Sequence, residues 1–238
     1  TANNGVTAMT ILGDGKVGIN DTSPSYTLDV DGDINFTGTL REDGSAFSGG
    51  ATDLDGLSDA KSGGTDFTNS LLIGHQTTGT LSSATGNTAV GYAASGSITS
   101  GTNNVAIGLN ALAANTQGAD NIAIGANALA ATNYHNKNVA IGVNAGLANV
   151  DGQANVIIGM DALKTATSDD SIVAIGYVAG RDANDTTHSV LVGGYAGYQM
   201  STGHHNTYMG TESGPNIAAS TGSYNTGIGM KALHSVTS

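Results

Sequence analysis

From Leu71 onward, apolar and polar positions recur on a fixed period. An apolar residue followed by glycine stands at Gly74, Gly91, Gly108, Gly125, Gly142, Gly159, Gly176, Gly193 and Gly210, always 17 residues apart, and a tenth copy at Gly229 follows after 19. One residue before the glycine stand Ile73, Val90, Ile107, Ile124, Ile141, Ile158, Ile175, Val192, Met209 and Ile228. Three before it stand Leu71, Thr88, Val105, Ile122, Val139, Val156, Val173, Val190, Thr207 and Thr226. Between these columns the residue is mostly small, as at Ala89, Ala106, Ala123, Ala140 and Ala174. Alternation of period two in β-branched residues predicts one short strand per unit. The Ile and Val columns are expected to line the interior, with Ile124 as an example, and the Ala column to be a close-contact face between chains, with simple filling of a tight solenoid as the competing account.

Three residues after the glycine is alanine in eight copies, among them Ala94, Ala111, Ala128, Ala145 and Ala196, and two after it is often polar, as at Asn110, Asn127, Asn144 and Asp161. This pattern predicts a second short strand, polar side out and small side in. Gly101, Gly118, Gly152, Gly203 and Gly222 share a turn column. Asn87, Asn104, Asn121, Asn138, Asn155, Asn206 and Asn225 recur four before the glycine and predict a coil-to-coil amide ladder.

One such unit cannot bury its own apolar face, whereas stacked units bury a continuous strip. The expected fold is all-β: a parallel β-roll or β-solenoid of ten coils of about 17 residues over 70–238, preceded by a small β module over 1–50 and a connector over 51–69. Each coil adds about one strand spacing, ~4.8 Å, so ten coils make a rod of roughly 48 Å. A cross-section this thin buries little surface, which favours self-association.

Composition narrows the function classes. Glycine supplies 36 of 238 residues, and there are 2 prolines, no cysteine and no tryptophan. That disfavours an ordinary helical globule and removes disulfides and thiolate metal sites. Seven basic against 19 acidic residues give −12, which argues against a nucleic-acid partner. No apolar run approaches a membrane helix. Residues 1–69 hold all three phenylalanines and 11 acidic against 3 basic residues, net −8.

The units Asn104-Val105-Ala106-Ile107-Gly108, Asn121–Gly125 and Asn138–Gly142 resemble the repeats of trimeric autotransporter adhesin heads. The resemblance covers about 70–238 and implies a left-handed β-roll of three chains around one axis; the period here is longer than the family's. Gly15-Lys16-Val17-Gly18-Ile19, Thr22-Ser23-Pro24 and Leu28-Asp29-Val30-Asp31-Gly32 resemble a module of bacteriophage tail fibres over about 5–50, with Asn20 and Asp21 in place of the usual Gly-Thr.

Candidate chemistry is sparse. Asp29, Asp31 and Asp33 alternate, but the glycine and glutamate of a calcium loop are misplaced, so they read as turn acids. Asp169 and Asp170 read as solvated turn acids rather than a glycosidase pair. No nucleophile elbow, zinc motif or phosphate loop is present, so no enzyme, metal or cofactor is expected. Ser82, Thr99, Thr116, Thr167, Ser201 and Ser220 share a hydroxyl column without the flat Thr-x-Thr face of an ice binder. His188, His205 and Tyr224 fall five before the glycine in successive units, with His204 adjacent and Tyr195, Tyr198 and Tyr208 near in sequence. His188, His204, His205 and Tyr224 are the candidate receptor contacts, with loop or intersubunit packing as the competing account.

Together these features predict a non-enzymatic structural and adhesive segment of a homotrimeric viral fibre. It would sit on a virion surface appendage with other particle or fibre proteins and contact a host-surface glycan or outer-membrane protein, with no nucleic-acid partner. The alternative is a trimeric adhesin on a bacterial cell surface. Thr1 in place of a methionine, and a last unit ending without cap chemistry, predict a longer parent chain.

Overall fold

A computed structural model describes residues 9–31, 41–42, 45–46, 60–62, 69–74, 82–215 and 221–235. The chain divides into two compact units, Thr1–Gly50 and Ala51–Ser238. The described residues are all-β, with no helix.

In the first unit, β1 (Met9–Ile11) runs antiparallel to β2 (Val17–Ile19), and β2 runs parallel to β3 (Leu28–Val30). The β1–β2 turn closes with the Leu12 N–H on the Lys16 carbonyl, and Gly15 takes φ 86°. The Asp14 carboxylate accepts the Lys16 N–H, and that hydrogen bond lowers its pKa. Asp29 braces a turn by accepting the Ser25 N–H at 2.9 Å; Asp33 lies outside the described residues. A short antiparallel pair, β4 (Arg41–Glu42) and β5 (Ser45–Ala46), lies in the same unit.

The second unit is a solenoid. Ten strands stack in order: β7 (Leu71–Ile73), β8 (Thr88–Val90), β9 (Val105–Ile107), β10 (Ile122–Ile124), β11 (Val139–Ile141), β12 (Val156–Ile158), β13 (Val173–Ile175), β14 (Val190–Val192), β15 (Thr207–Met209) and β16 (Thr226–Ile228). All neighbours pair parallel and in register, giving about nine turns. The connector is not only a link: β6 (Ala60–Ser62) pairs antiparallel with β7 at the start of the sheet. The 19-residue step is absorbed without a register break, since Thr207 still pairs with Thr226 and Met209 with Ile228.

The inside and outside of each strand are the reverse of the sequence expectation. The strand-centre residues are the buried ones: Ala106, Ala123, Ala140 and Ala174 have no exposure, nor do Ile157 and Leu191. The Ile and Val columns point outward; Ile107 is 39 % and Ile228 69 % exposed. The Ala column is therefore core rather than a contact face, and Ile124 is half-buried at the surface.

The coil has room for only a small residue at the strand centre because a second column fills the same space. Four residues after the glycine stand Leu112, Leu129 and Leu163, all buried. Where Ile157 and Leu191 enlarge the strand centre, the second column of the preceding coil is glycine: a Cβ on Gly180 would lie 2.7 Å from Leu191 Cδ1, and one on Gly146 2.8 Å from Ile157 Cδ1. Large and small residues thus alternate between two walls of one close-packed interior.

The expected second strand does not form. Asn110, Asn127 and Asn144 have φ 55–58°, and Leu112, Leu129 and Leu163 have φ 44–50°, all left-handed and incompatible with a strand. The segment is a run of turns whose N–H groups reach the coils on either side, from Asn127 back to the Leu109 carbonyl and from Leu129 on to the Ala145 carbonyl. Asparagine tolerates the left-handed region better than most residues.

The corner glycines are obligatory. Gly108 to Gly210 have φ 129–138°, and a Cβ on Gly125 would lie 2.5 Å from the Gly142 carbonyl oxygen. The amide ladder forms as expected and is buried. The Asn121 N–H and Nδ2 both donate to Asn104 Oδ1, at 3.0 and 3.1 Å, and Nδ2 also reaches the His135 carbonyl at 2.9 Å. Ile172 interrupts the column, and its N–H closes the run on Asn155 Oδ1 at 2.9 Å. Buried amides satisfied in this way cost the core little and fix the coil register.

Candidate functional site

The sequence-predicted contact residues separate. His188, His205 and Tyr224 occupy a turn position that is left-handed in every coil from Gly86 onward, at φ 59°, 59° and 61° here. The position throws the side chain outward, so residues one coil apart come face to face. The His188 and His205 rings lie 5.0 Å apart at 39°, and the His205 and Tyr224 rings 4.9 Å apart at 30°. They make a surface column of three rings, with Tyr224 79 % exposed. His204 does not join it: its Nδ1 lies 2.8 Å from Thr187 Oγ1, and its N–H donates to Ser223 Oγ.

Tyr208 is no surface residue. It stands at the centre of β15, 2 % exposed, and burial raises its phenol pKa against the opposing hydrogen bond with Asn225. Tyr195 and Tyr198 instead meet two residues that the sequence reading did not single out, Tyr177 and Arg181. The Tyr177 and Tyr195 rings meet edge-on at 5.4 Å, Tyr195 and Tyr198 at 5.6 Å, and the Arg181 guanidinium lies 4.5 Å from the Tyr198 ring centroid. A hydrogen bond with Tyr177 raises the Tyr195 phenol pKa. Arg181 forks onto Asp182 through Nε at 3.1 Å and Nη2 at 2.9 Å, which raises its own pKa. The signal was available in the columns. Tyr195 stands where other coils have Asn127 and Asn144, and Tyr198 where they have Ala113 and Ala130.

The acids of the repeat are mostly engaged in structure. Asp161 pairs with Lys164 at 3.1 Å and accepts the Asn144 amide. Partial burial pushes its pKa up, but these contacts outweigh it and hold the carboxyl below its ordinary value. Glu212 pairs with Lys231 at 3.3 Å, and Asp170 accepts the Gln153 N–H at 2.7 Å. Asp169 departs from the solvated-turn expectation. It is 1 % exposed, one oxygen accepts the Thr186 N–H, and the other has no hydrogen-bond partner among the described residues. Burial raises its pKa, and the Thr186 hydrogen bond only partly offsets that.

Three threonines of the hydroxyl column bond along the rod, Thr99 Oγ1 donating to the Thr116 carbonyl, Thr116 Oγ1 to Asn133 Oδ1 and Thr167 Oγ1 to Asn184 Oδ1; Ser220 lies outside the described residues. Among the described residues no group of three or more His, Cys, Asp or Glu could hold a metal ion. Among them, too, no helix is long and apolar enough to cross a membrane.

No protein-family model, curated protein or solved structure matches the chain.

Proposed function

We propose that the chain is a structural and adhesive segment of a homotrimeric bacteriophage fibre, in which a stiff solenoid carries a surface that contacts the host. The reading is non-enzymatic: the rod holds recognition groups at a distance from the particle. The observation that carries it is the outward apolar face of the sheet. The two outward strand columns, with Leu109, Val143 and Met160 just beyond the corner glycines, form a strip about 13 Å wide and about 43 Å long. That is on the order of 600 Å², at the upper end of what monomers expose and near the ~800 Å² per partner of a stable interface. Identical coils in parallel register let a second and third copy meet the strip level by level. A strip this narrow suits convergence on a shared axis better than broad face-to-face pairing.

The bacteriophage assignment rests on the resemblance of residues 5–50 to tail-fibre modules, and the bacterial-adhesin alternative on the Val-Ala-Ile-Gly units. The exposed rings of Tyr224 and Tyr195 are amphipathic contact groups suited to a glycan or an outer-membrane protein. Light scattering on the segment at micromolar concentration should give three times the 23.5 kDa chain mass, and the labelled segment should adsorb to bacterial envelopes. A stable folded monomer overturns the assembly, and absence of adsorption across host strains overturns the attachment.

A further inference from the structure

The geometry around Tyr195 points to a binding site for a neutral hexose unit of a saccharide: Tyr195 and Tyr198, backed by Tyr177, form an aromatic corner beside the charge-neutral Arg181–Asp182 fork. This inference rests on the attachment reading above and names the chemistry of the contact.

A pyranose ring offers an apolar C–H face and a rim of hydroxyls. The corner offers the complement. Its rings meet at 83° and 68°, edge to face, so they do not cover one another as a parallel stack would. Tyr195 is 40 % exposed and Tyr198 half-buried; Tyr177 follows Met160 one coil on in the same column, at the margin of the apolar strip, and backs the corner rather than facing the sugar. One ring can lie under a sugar while its neighbour stands as a wall. The Arg181 guanidinium, held over Tyr198 and locked onto Asp182, brings planar donors and acceptors to the same edge. Because the pair cancels in charge, it serves hydroxyls without drawing an anion, and the sugar it fits is neutral.

The fold does not need these aromatics. Asn127, Asn144 and Tyr195 share one backbone position at φ 58°, 55° and 58°. A tyrosine bears left-handed strain there that asparagine bears more easily. At the Tyr198 position other coils manage with Ala113 and Ala130. The ring packs only on other members of the corner, Tyr177 and Tyr198, so the corner is an addition to the coil rather than part of its core. The same comparison makes clean variants: Ala93 already sits at the Tyr195 position with φ 55°, so Tyr195→Ala and Tyr198→Ala should both fold.

Saturation-transfer NMR with the whole segment would use mannohexaose and maltohexaose as neutral probes and an oligogalacturonate as the acidic one. The expected result is transfer to the C–H protons of at least one neutral probe. Tyr195→Ala and Tyr198→Ala should each weaken it about tenfold, with Tyr224→Ala unchanged and the light-scattering mass unaltered. Absence of transfer to either neutral probe, preference for the oligogalacturonate, unchanged affinity in Tyr195→Ala, or dissociation of the assembly by that variant would each overturn the site. Envelope adsorption separates the two readings. Adsorption that survives Tyr195→Ala, with neutral probes silent, removes the saccharide site and leaves attachment standing. Saccharide binding without adsorption by the unaltered segment removes attachment and leaves the site.

Discussion

Tyr208 and Gly214 are cut to fit one another: a Cβ on Gly214 would lie 2.5 Å from Cδ2 of the Tyr208 ring. The same space is divided the other way in coils nearer the amino terminus, where alanine stands at the strand centre and leucine faces it, as with Ala106 and Leu112 and with Ala123 and Leu129. The interior therefore obeys a conserved-volume rule rather than a conserved-residue rule.

That rule predicts a coupling. Gly214→Ala forces a methyl into the Tyr208 ring at a backbone φ of 87° and should destabilise the solenoid by about 2–4 kcal/mol. Tyr208→Ala alone should cost ~3 kcal/mol by leaving a cavity. The double variant restores an alanine-sized strand centre and relieves the clash. Denaturant unfolding should then show a loss well below the sum of the two, and strict additivity would refute the fit.

Polarity of the strand residues gives a second test. Ala123→Asp buries an unpaired carboxylate and should cost several kcal/mol or abolish folding of the neighbouring coils. Ile124→Asp lies on the half-buried outer column, so circular dichroism should show the β signal retained. Under the proposed assembly its cost falls on association, and light scattering should report a reduced mass. Equal damage to the β signal from both substitutions would contradict the orientation.

The amide ladder makes a third prediction. Asn121→Leu removes the acceptor of the Asn138 N–H and the donor to the His135 carbonyl. Stranding buried groups in this way should cost about 2–4 kcal/mol. Amide exchange should accelerate first at Asn138 and Ile122, with coils near the amino end of the rod protected as before.

Asp169 supplies a pH signature. Its folded-state pKa is raised by burial, so the folded chain holds the proton more tightly than the unfolded chain does. The associated stability is fully present below the ordinary value near 3.8 and is lost as pH rises through the raised folded-state value. Asp169→Asn keeps an acceptor for the Thr186 N–H and has no charge to bury. Its melting temperature should exceed the parent's by a few degrees at pH 7 and match it near pH 3.5. Asp161, whose pKa is lowered, moves the parent and the variant alike and drops out of the difference. A gain that is independent of pH would count against a buried charge at Asp169.

Period, strand positions and amide ladder were legible because each is a column of one residue type. The sidedness of the strand was not. Hydrophobicity places Ile124 inside and Ala123 outside, but Leu129 already occupies the space that Ile124 would need. A property of two columns cannot be read from one. The left-handed turn was written in the alternation of Leu129 and Leu163 with Gly146 and Gly180, a mixture of sizes that only a positive φ reconciles. The Tyr195 corner escaped because its members lie in different columns of adjacent coils, brought together by stacking rather than by spacing.

The long step between Gly210 and Gly229 leaves both neighbouring ladders intact: the Asn225 N–H still finds Asn206 Oδ1 at 2.9 Å, and the Gly229 N–H the Met209 carbonyl at 2.7 Å. Reach and surface are therefore separately editable in this architecture. Whole units gained or lost would change the reach in steps of about 4.8 Å, like marks on a ruler, while insertions within a unit would alter what the rod displays at one height. Under the attachment proposed above, a change of host would rewrite a single level without recalibrating the rest.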